Sequence, residues 1–458
     1  MSQTGISQAQ RRKLWVFYII IITQTISLIG SRISGLAIGF HIFNQTGQAT
    51  PLTLVAFFAT IPMVLASGIS GVIADRWDRR YVMMIADAGQ AVGTVLLLIS
   101  FSSGSFQLWH LYLVTFLQSI FGVFQGPAFM ASVTMLVPEN QRERGNAIMQ
   151  ITGPMAGIIA PAIAGVVYAS SGVVGAIWLD LISFGVAVAA VFAVRIPRPP
   201  QSEAGKAAQG SVWKESRGGL VYLYQRKTLF TLLVYISLVN FMFSSAMSLQ
   251  TPYLLSRTGS TETMGSLLSL MNIGALAGGI IIGVWGGTRP RMNTMMPGLI
   301  VSGLALAGVG MSQQPIPLGV MMVVMMFPLP MINTLFISMM QSKVAPDIQG
   351  RVFAVMNQMS MFLMPLAYLI AGPLADNVFK PAVTQPGWER VAPLVGSGAG
   401  SGFGLMMVIF GAFIGITAIA VYAVPAIRRL EINLPDYVIP EDEPELAGIP
   451  TTSDAVSA

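Results

Sequence analysis

The chain alternates long apolar runs with short polar connections from its beginning to about residue 425. Each run is close to the length of about 20 apolar residues that a helix needs to cross the hydrocarbon core of a bilayer. The runs lie near residues 14–42, 51–74, 81–102, 107–136, 147–170, 173–196, 229–255, 263–287, 294–312, 316–342, 352–377 and 403–425. The pattern predicts an all-α membrane protein with twelve transmembrane helices.

A polar stretch from about Pro197 to Lys227 separates the first six runs from the last six. We expect an N-terminal six-helix bundle over residues 1–199, a cytoplasmic linker over 200–227 and a C-terminal six-helix bundle over 228–430. Residues 431–458 form an acidic tail that contains serine and proline, a composition that is typical of a disordered segment.

Composition narrows the class of protein further. Only 10% of the residues are charged, whereas soluble domains carry about 25%. The sequence has no cysteine, which excludes a disulfide scaffold and a thiolate metal site. It also has no phosphate-binding loop and no nucleophile elbow. We therefore expect neither an enzyme nor a cofactor or metal site, and the chain should not hydrolyse ATP itself.

The lysines and arginines fall mainly on one side of the predicted helices. The connections on the opposite side hold only Arg257, Lys380 and Arg390. Basic residues collect on the cytoplasmic side of membrane proteins, which predicts a multi-pass plasma-membrane protein with both termini in the cytoplasm. The formal net charge of +6 then reflects topology and contact with anionic lipid headgroups, and nucleic acid is not an expected partner.

Three landmarks occur twice in the same order along the chain. They are Gly71-Val-Ile-Ala-Asp75 with Gly283-Val-Trp-Gly-Gly287, Pro138 with Pro346, and Pro161 with Pro365. The two copies are 212, 208 and 204 residues apart. Two copies of a six-helix unit are typical of transporters, because two rigid halves can rock about a site between them.

The stretch Gly71–Arg80 resembles the signature loop of the major facilitator superfamily, Gly-x-x-x-Asp-Arg-x-x-Arg-Arg, and lies between the second and third helices as it does in that family. The resemblance implies the major facilitator fold, with two pseudo-symmetric six-helix bundles. We expect a conformational latch on the cytoplasmic side, in which the acid accepts hydrogen bonds from an arginine or from a helix N-terminus of the other half. The latch residues are Gly71, Asp75, Arg76, Arg79 and Arg80. The alternative is a basic loop that only fixes topology.

The fifth run contains Ala156-x-x-x-Ala160-Pro161-x-x-Ala164-Gly165, which is similar to the antiporter motif of drug exporters with alanine at several glycine positions. Gly157, Pro161 and Gly165 are expected to form a closely packed helix surface, either static or sliding during transport. Many proton antiporters of the family carry an arginine in the fourth helix, where this chain has Gln118.

Three charged residues lie inside predicted helices: Arg32, Asp87 and Asp180. A charge at the bilayer centre costs roughly 2.5–3.5 kcal/mol, so each should face protein, water or an opposite charge. Arg32 and Asp180 lie at similar depth, which predicts an ion pair between them, whereas Asp87 should meet the arginines near Arg79. Arg32 either binds an anionic substrate group, gates the proton of a carboxylate or is a structural partner of Asp180. Asp180 is either a proton carrier or a structural charge.

Short motifs such as Ser27-Leu-Ile-Gly30 and Asp180-Leu-Ile-Ser-Phe184 resemble the macrolide- and siderophore-exporter branch of drug/proton antiporters. This resemblance implies a secondary active transporter that exports lipophilic or amphipathic small molecules in exchange for protons by alternating access. A siderophore or lipid exporter and an uptake permease stay open as alternatives, and a receptor or membrane enzyme is disfavoured. The expected partners are the bilayer, a small-molecule substrate and protons, and a monomer is sufficient.

The tenth run is rich in methionine, at Met321, Met322, Met325, Met326 and Met331. Methionine is flexible and polarizable and suits an apolar binding surface, although ordinary packing is the simpler interpretation.

Overall fold

The computed structural model describes residues 8–76, 79–138, 141–194, 223–344 and 346–433, and within these ranges it is helical without strands. The longer helices are α1 (Gln8–Thr46), α2 (Thr50–Arg76), α3 (Arg79–Ser102), α4 (Leu108–Leu136), α5 (Arg142–Ala193), α6 (Lys227–Ser248), α7 (Gln250–Thr258), α8 (Thr261–Trp285), α9 (Met292–Met311), α10 (Pro315–Met326), α11 (Pro328–Lys343), α12 (Pro346–Phe362), α13 (Met364–Leu374) and α14 (Ser401–Ala423). Most of the predicted linker and the predicted tail lie outside the described residues, so the domain boundaries stay a prediction.

Ten segments of the described chain are long and apolar enough to cross a membrane. One of them, Ile148–Ala193, has 46 residues and turns back at Gly172, where φ is 65° and ψ is −166°. Only glycine adopts this backbone conformation readily, so α5 crosses twice, with a first arm before Gly172 and a second arm after it. The remaining crossing is α2, whose apolar part is Thr50–Ala66. The prediction of twelve transmembrane helices is confirmed.

Three of the crossings in the second half are interrupted helices. Breaks separate α6 from α7 at Leu249, α10 from α11 at Phe327, and α12 from α13 at Leu363. Pro328 and Pro365 lie in the first turns of α11 and α13. Proline lacks the N–H that a helix interior needs but is tolerated in a first turn, which explains why the helices restart there.

Five of the described connections lie on one face of the bundle, which we call the distal face. They are residues 47–49, 103–107, 259–260, 312–314 and 383–400. Most of the described basic residues lie on the opposite face, which we call the basic face: Arg80, Arg226, Lys227, Arg289, Arg291, Lys343, Arg428 and Arg429. The described helices therefore separate the charges as the sequence predicts.

The helices of each half pack mainly against one another. In the first half α1 lies along α5 and α4 lies along α2 and α3, and in the second half α9 lies along α14. The halves meet where α5 contacts α8 and where α2 contacts α13. Large apolar side chains cover the outside of the bundle, such as Leu65 and Val284, which are 73% and 87% exposed. Such a surface fits the hydrocarbon core of a membrane.

Candidate functional site

Polar side chains follow one face of α3, at Asp87, Gln90 and Thr94. Spacings of three and four residues place them on the same side of the helix. Gln118 and Gln125 of α4 lie opposite this face and contact it by hydrogen bonds. The separation of seven residues between these two glutamines corresponds to about two helical turns, so both point toward α3.

Asp87 is fully buried and is held by two amide groups. Gln24 Nε2 of α1 donates to Asp87 Oδ2 at 3.1 Å, and Gln125 Nε2 donates to Oδ1 at 2.5 Å. Gln125 Nε2 also donates to Gln24 Oε1 at 3.3 Å, while Gln125 Oε1 accepts from Gln90 Nε2 at 2.8 Å. These bonds suit the ionised carboxylate, which only accepts hydrogen bonds.

Asp180, in the second arm of α5, is only 5% exposed and is held by two hydroxyl groups. Ser31 Oγ donates to Asp180 Oδ1 at 2.9 Å, and Thr94 Oγ1 donates to Oδ2 at 3.2 Å. Gln118 Nε2 donates to Thr94 Oγ1 at 3.1 Å and to the carbonyl of Gln90 at 2.9 Å. Asp87 and Asp180 therefore belong to one hydrogen-bonded network inside the first half.

A cavity of about 290 Å³ adjoins this network. Gln24, Gln90 and Gln125 form its polar wall, and Phe129 and Phe184 contribute aromatic surface. Pockets for small molecules start at about 300 Å³ and combine apolar walls with a few polar groups. The cavity is of a size and chemistry that could hold part of a small molecule.

The predicted ion pair between Arg32 and Asp180 does not form. Ser31, the neighbour of Arg32, takes the position facing Asp180, and successive residues of a helix point in directions about 100° apart. Arg32 Nη1 instead donates to the carbonyl of Gly153 in the first arm of α5, at 3.4 Å. Asp87 is bound by two amides, and its expected contact with the arginines near Arg79 stays a prediction, because the side chains of Arg76 and Arg79 lie outside the described residues.

The small residues of the fifth run lie where the first half meets the second. The Cα of Glu262 in α8 lies 2.9 Å from the position of an added Cβ at Gly165. Pro161 presents its carbonyl to Gly265 of α8, which leaves no room for a side chain there. Gly157 faces the side chain of Asn272 in α8, whose Oδ1 lies 2.5 Å from the position of an added Cβ. These residues allow α5 and α8 to approach closely, and whether the surface slides stays a prediction.

A second contact between the halves lies on the distal face. Asp376, just after α13, accepts hydrogen bonds from the backbone N–H of Ala49 at 2.9 Å and of Thr50 at 2.7 Å. Its Oδ2 also accepts from Thr50 Oγ1 at 2.6 Å. A carboxylate at a helix N-terminus satisfies free N–H groups and complements the helix dipole. Nearby, Lys380 Nζ donates to the carbonyl of Gly47 at 2.7 Å.

Comparison with known proteins agrees with this architecture. The family model described as "Major Facilitator Superfamily" matches residues 20–368, which is most of the chain. The chain belongs to this superfamily. It is therefore a multi-pass membrane transporter and not an enzyme.

Two curated relatives are exporters by name. The transporter is 27% identical over 366 residues to "Macrolide efflux protein A" of Streptococcus pyogenes, an alignment that covers 79% of this chain and 90% of the relative. It is 26% identical over 371 residues to "Multidrug efflux pump Tap" of Mycobacterium tuberculosis, covering 78% of this chain and 87% of the relative.

Solved structures of lower sequence identity share the fold. A mutant of the nucleoside transporter NupG matches with a TM-score of 0.71 at 14% identity, over 88% of this chain and 99% of its own. A bacterial homologue of the human lysosomal transporter Spinster, in an inward-facing unoccupied conformation, matches with a TM-score of 0.69 at 16% identity, over 90% and 96%.

The signature loop of the superfamily lies at the junction of α2 and α3. The side chains of Asp75, Arg76 and Arg79 and the surroundings of Gly71 lie outside what the structure describes, so the latch stays a prediction. Arg80 is described, and its Nη2 donates to the carbonyl of Phe192 at 2.6 Å at the end of α5. Arginine at this position binds free carbonyl groups of a helix C-terminus.

The sequence analysis missed most of the network around the two carboxylates. Polar residues inside the apolar runs held the signal, since Gln90 and Thr94 follow Asp87 at helical spacing on α3 and Gln118 and Gln125 are two turns apart on α4. Asp376 could not be found in this way, because its partners are more than 300 residues away in the chain.

Proposed function

We propose that the transporter exports lipophilic or amphipathic small molecules in exchange for protons, by alternating access between its two halves. The observation that supports proton exchange is the network that links Asp87 to Asp180 inside the first half. A charge inside a membrane is costly, and binding of a proton removes the charge of a carboxylate. The names of the two curated relatives support export.

Binding of a proton to Asp87 would change the hydrogen bonds of the network. A protonated Asp87 carries an O–H that needs an acceptor, whereas Gln24 and Gln125 now present N–H donors to it. A half-turn of the Gln125 amide would supply that acceptor. The same turn would bring the Gln125 NH₂ group against Gln90 and break their present bond. Protonation of Asp87 is therefore coupled to rearrangement of its neighbours on α3 and α4.

Alternating access requires contacts that close one face at a time. The bonds from Asp376 to the start of α2 and the packing of α5 on α8 join the halves toward the distal face. We propose that the loop containing Gly71, Asp75, Arg76, Arg79 and Arg80 performs the corresponding task at the basic face, which lies in the cytoplasm when the protein is in the plasma membrane. A monomer contains both contacts and needs no cofactor beyond the proton gradient.

The experiment uses purified protein in liposomes with an internal pH dye and an imposed proton gradient. A macrolide, a lipophilic cation and a siderophore are added in turn, and substrate-dependent proton flux is recorded. We expect flux with the macrolide or the lipophilic cation and a loss of more than about tenfold in Asp87→Asn and Asp180→Asn. Glu389→Gln on the distal face serves as the matched control, because Glu389 is exposed and outside the network.

Two outcomes would contradict the proposal. Substrate that equilibrates across the bilayer without proton flux would show a uniporter or another coupling ion. Flux that persists in both asparagine variants would remove the network from the coupling mechanism. Flux of a siderophore or lipid alone, or accumulation inside the cell in transport assays, would favour the siderophore or lipid exporter or the uptake permease.

A further inference from the structure

Arg32 is a charged residue of the membrane interior that the network does not use. Its side chain is exposed, although it lies in the middle of α1. Its one hydrogen bond within the described part of the chain goes to the carbonyl of Gly153 and measures 3.4 Å. Hydrogen bonds from N–H to oxygen normally measure 2.7–3.2 Å, and a guanidinium has five N–H donors. Most of these donors are therefore free to bind something else.

The two carboxylates of the first half whose side chains the structure describes do not neutralise Arg32. Asp180 accepts from Ser31 and Thr94, and Asp87 accepts from Gln24 and Gln125. Within the described ranges no ion pair includes Arg32, so the structural interpretation, in which Arg32 is the partner of Asp180, is removed.

The position of Arg32 shows which space it faces. The position of an added Cβ at Gly157 lies 3.1 Å from Arg32 Nη1 and 2.5 Å from Asn272 Oδ1. Arg32 belongs to the first half and Asn272 to α8 of the second half. A side chain that is exposed and yet borders both halves faces the space between them and not the lipid. Asn272 Nδ2 donates to the carbonyl of Leu268 at 2.8 Å, which leaves its second N–H available.

We propose that Arg32 and Asn272 form an anion-binding subsite between the two halves, so that the exported compound carries a carboxylate, phosphate or sulfonate group on an apolar body. This inference rests on the proposed transport function and names its substrate class. A guanidinium binds such groups through paired N–H bonds, which are stronger than those between neutral groups. Bound anion also offsets the cost of a charge at this depth. Because its donors come from both halves, the subsite contacts both sides of the interface that alternating access must rearrange.

The test measures binding without a proton gradient, in detergent-solubilised full-length protein. The probes are a dansyl-labelled undecanoic acid, its methyl ester, and the alkyl phosphate and primary amine with the same chain and label. We expect the wild-type protein to bind the acid or the phosphate at least tenfold more tightly than the ester and the amine. Hydrogen bonds to charged groups contribute about 1.5–3 kcal/mol, which corresponds to about ten- to hundredfold in affinity. The acid and phosphate arms show which anion the subsite prefers.

The variants separate charge from folding. Arg32→Gln should reduce the preference for the anion over the ester to near one, and the ester affinity serves as the check that the protein is folded. Arg32→Lys should keep part of the preference, since lysine supplies the charge without the planar fork. Asn272→Leu should reduce anion affinity by a smaller factor. Arg390→Gln is the matched control, because Arg390 is exposed in the distal connection.

Equal binding of acid and ester to the wild-type protein would overturn the inference, and so would an unchanged preference in Arg32→Gln. If Arg32→Gln binds neither probe, Arg32→Lys provides the test. A full wild-type preference for the anion in Arg32→Lys, together with wild-type affinity for the ester, would then overturn the inference. Proton flux with a cationic drug but no anion preference would leave the proposed function intact and reject the subsite. Tight anion binding without proton flux would support the subsite and reject proton exchange.

Discussion

The third crossing of the first half carries Asp87, Gln90 and Thr94 on its inner face, whereas the third crossing of the second half carries buried methionines. At the 212-residue offset between Gly71 and Gly283, the landmark nearest to these helices, the position that corresponds to Asp87 is Leu299, which is 4% exposed. The same helix of the repeat therefore carries a carboxylate, which can bind a proton, in one copy and an apolar side chain at the matching position in the other. We infer that ion handling is concentrated in the first half.

The second half uses close backbone approach where the first half uses polar side chains. Gly278 of α8 faces the carbonyl of Phe327 at the break between α10 and α11. Gly303 of α9 faces the backbone of Gly411 in α14, and Gly310 faces Gly404. Small residues let helices approach closely in membranes, where dispersion replaces the hydrophobic effect between helices. Most of this half is therefore held by shape and not by charge.

The largest expected effect comes from filling one of these close approaches. In Gly278→Ala the new Cβ would overlap the carbonyl oxygen of Phe327, and backbone cannot move aside as a flexible side chain can. We expect a loss of about 3 kcal/mol of stability, the upper range for overpacked interiors. Gly283→Ala is the control on the same helix, because a Cβ there has no neighbour within 4 Å. Thermal unfolding in detergent compares the two variants, and equal melting temperatures would show that the contact yields easily.

Removing the Gln125 amide that holds Asp87 tests how much the polar side chains stabilise the first half. Gln125→Leu leaves Asp87 Oδ1 without its donor, which should cost about 1–3 kcal/mol because a buried acceptor loses its partner. A double-mutant cycle with Asp87→Leu supplies the control, since replacement of both partners by apolar groups leaves neither group unsatisfied. The measurement is again thermal unfolding. Additive effects of the two substitutions would show that Gln125 and Asp87 are energetically independent.

The sequence predicted the crossings because each depends on a local run of apolar residues, and a bilayer requires such runs. It also identified Asp87 and Asp180 as charges that need compensation. It assigned the wrong partner to Asp180 and did not foresee the two amides that hold Asp87, because depth along a helix can be counted from the sequence but rotation about the axis depends on packing. Ser31 and Arg32 are adjacent, and a rotation of one residue decides which of them faces Asp180.

The contacts between the halves could not be predicted from the sequence for a related reason. Gly157, Pro161 and Gly165 were recognised as a packing surface, but their partners in α8 depend on how the two bundles dock. Asp376 was overlooked because an acid just after an apolar run usually faces water. Its role depends on the start of α2, which only the assembled fold brings to it.

Asp376 is an acid of the second half that lies at the contact between the two halves, and not inside its own bundle as Asp87 and Asp180 do. Asp376→Asn keeps an acceptor but loses the charge at the start of α2, which should weaken the distal contact by about 1 kcal/mol. The chain has no cysteine, so Thr53→Cys, at a fully buried position of this contact, reports opening through a membrane-impermeant thiol reagent. We expect labelling to become about fivefold faster.

The control for this substitution is Asn377→Ala, since Asn377 is the next residue and is exposed. In the protein that carries both Thr53→Cys and Asn377→Ala, the cysteine should be labelled at the same rate as in Thr53→Cys alone. Equal rates in Asp376→Asn and Asn377→Ala would mean that the helix packing alone keeps the distal face closed.

The smallest effect is expected at the one ion pair found in the described residues, which lies in the second half. Arg291 Nη1 and Glu431 Oε1 are 2.9 Å apart at the basic face, with side chains 15% and 14% exposed. Water and salt screen this mostly buried pair only in part, so Arg291→Gln should cost up to about 1 kcal/mol, the upper end for pairs near a surface, and somewhat less at high salt. Glu431→Gln should cost more, because Glu431 also accepts from the backbone N–H of Arg291. Thermal unfolding at low and high salt separates the two. A salt-independent loss of several kcal/mol in Arg291→Gln would mean that the second half depends on charge as strongly as the first, which would break the comparison.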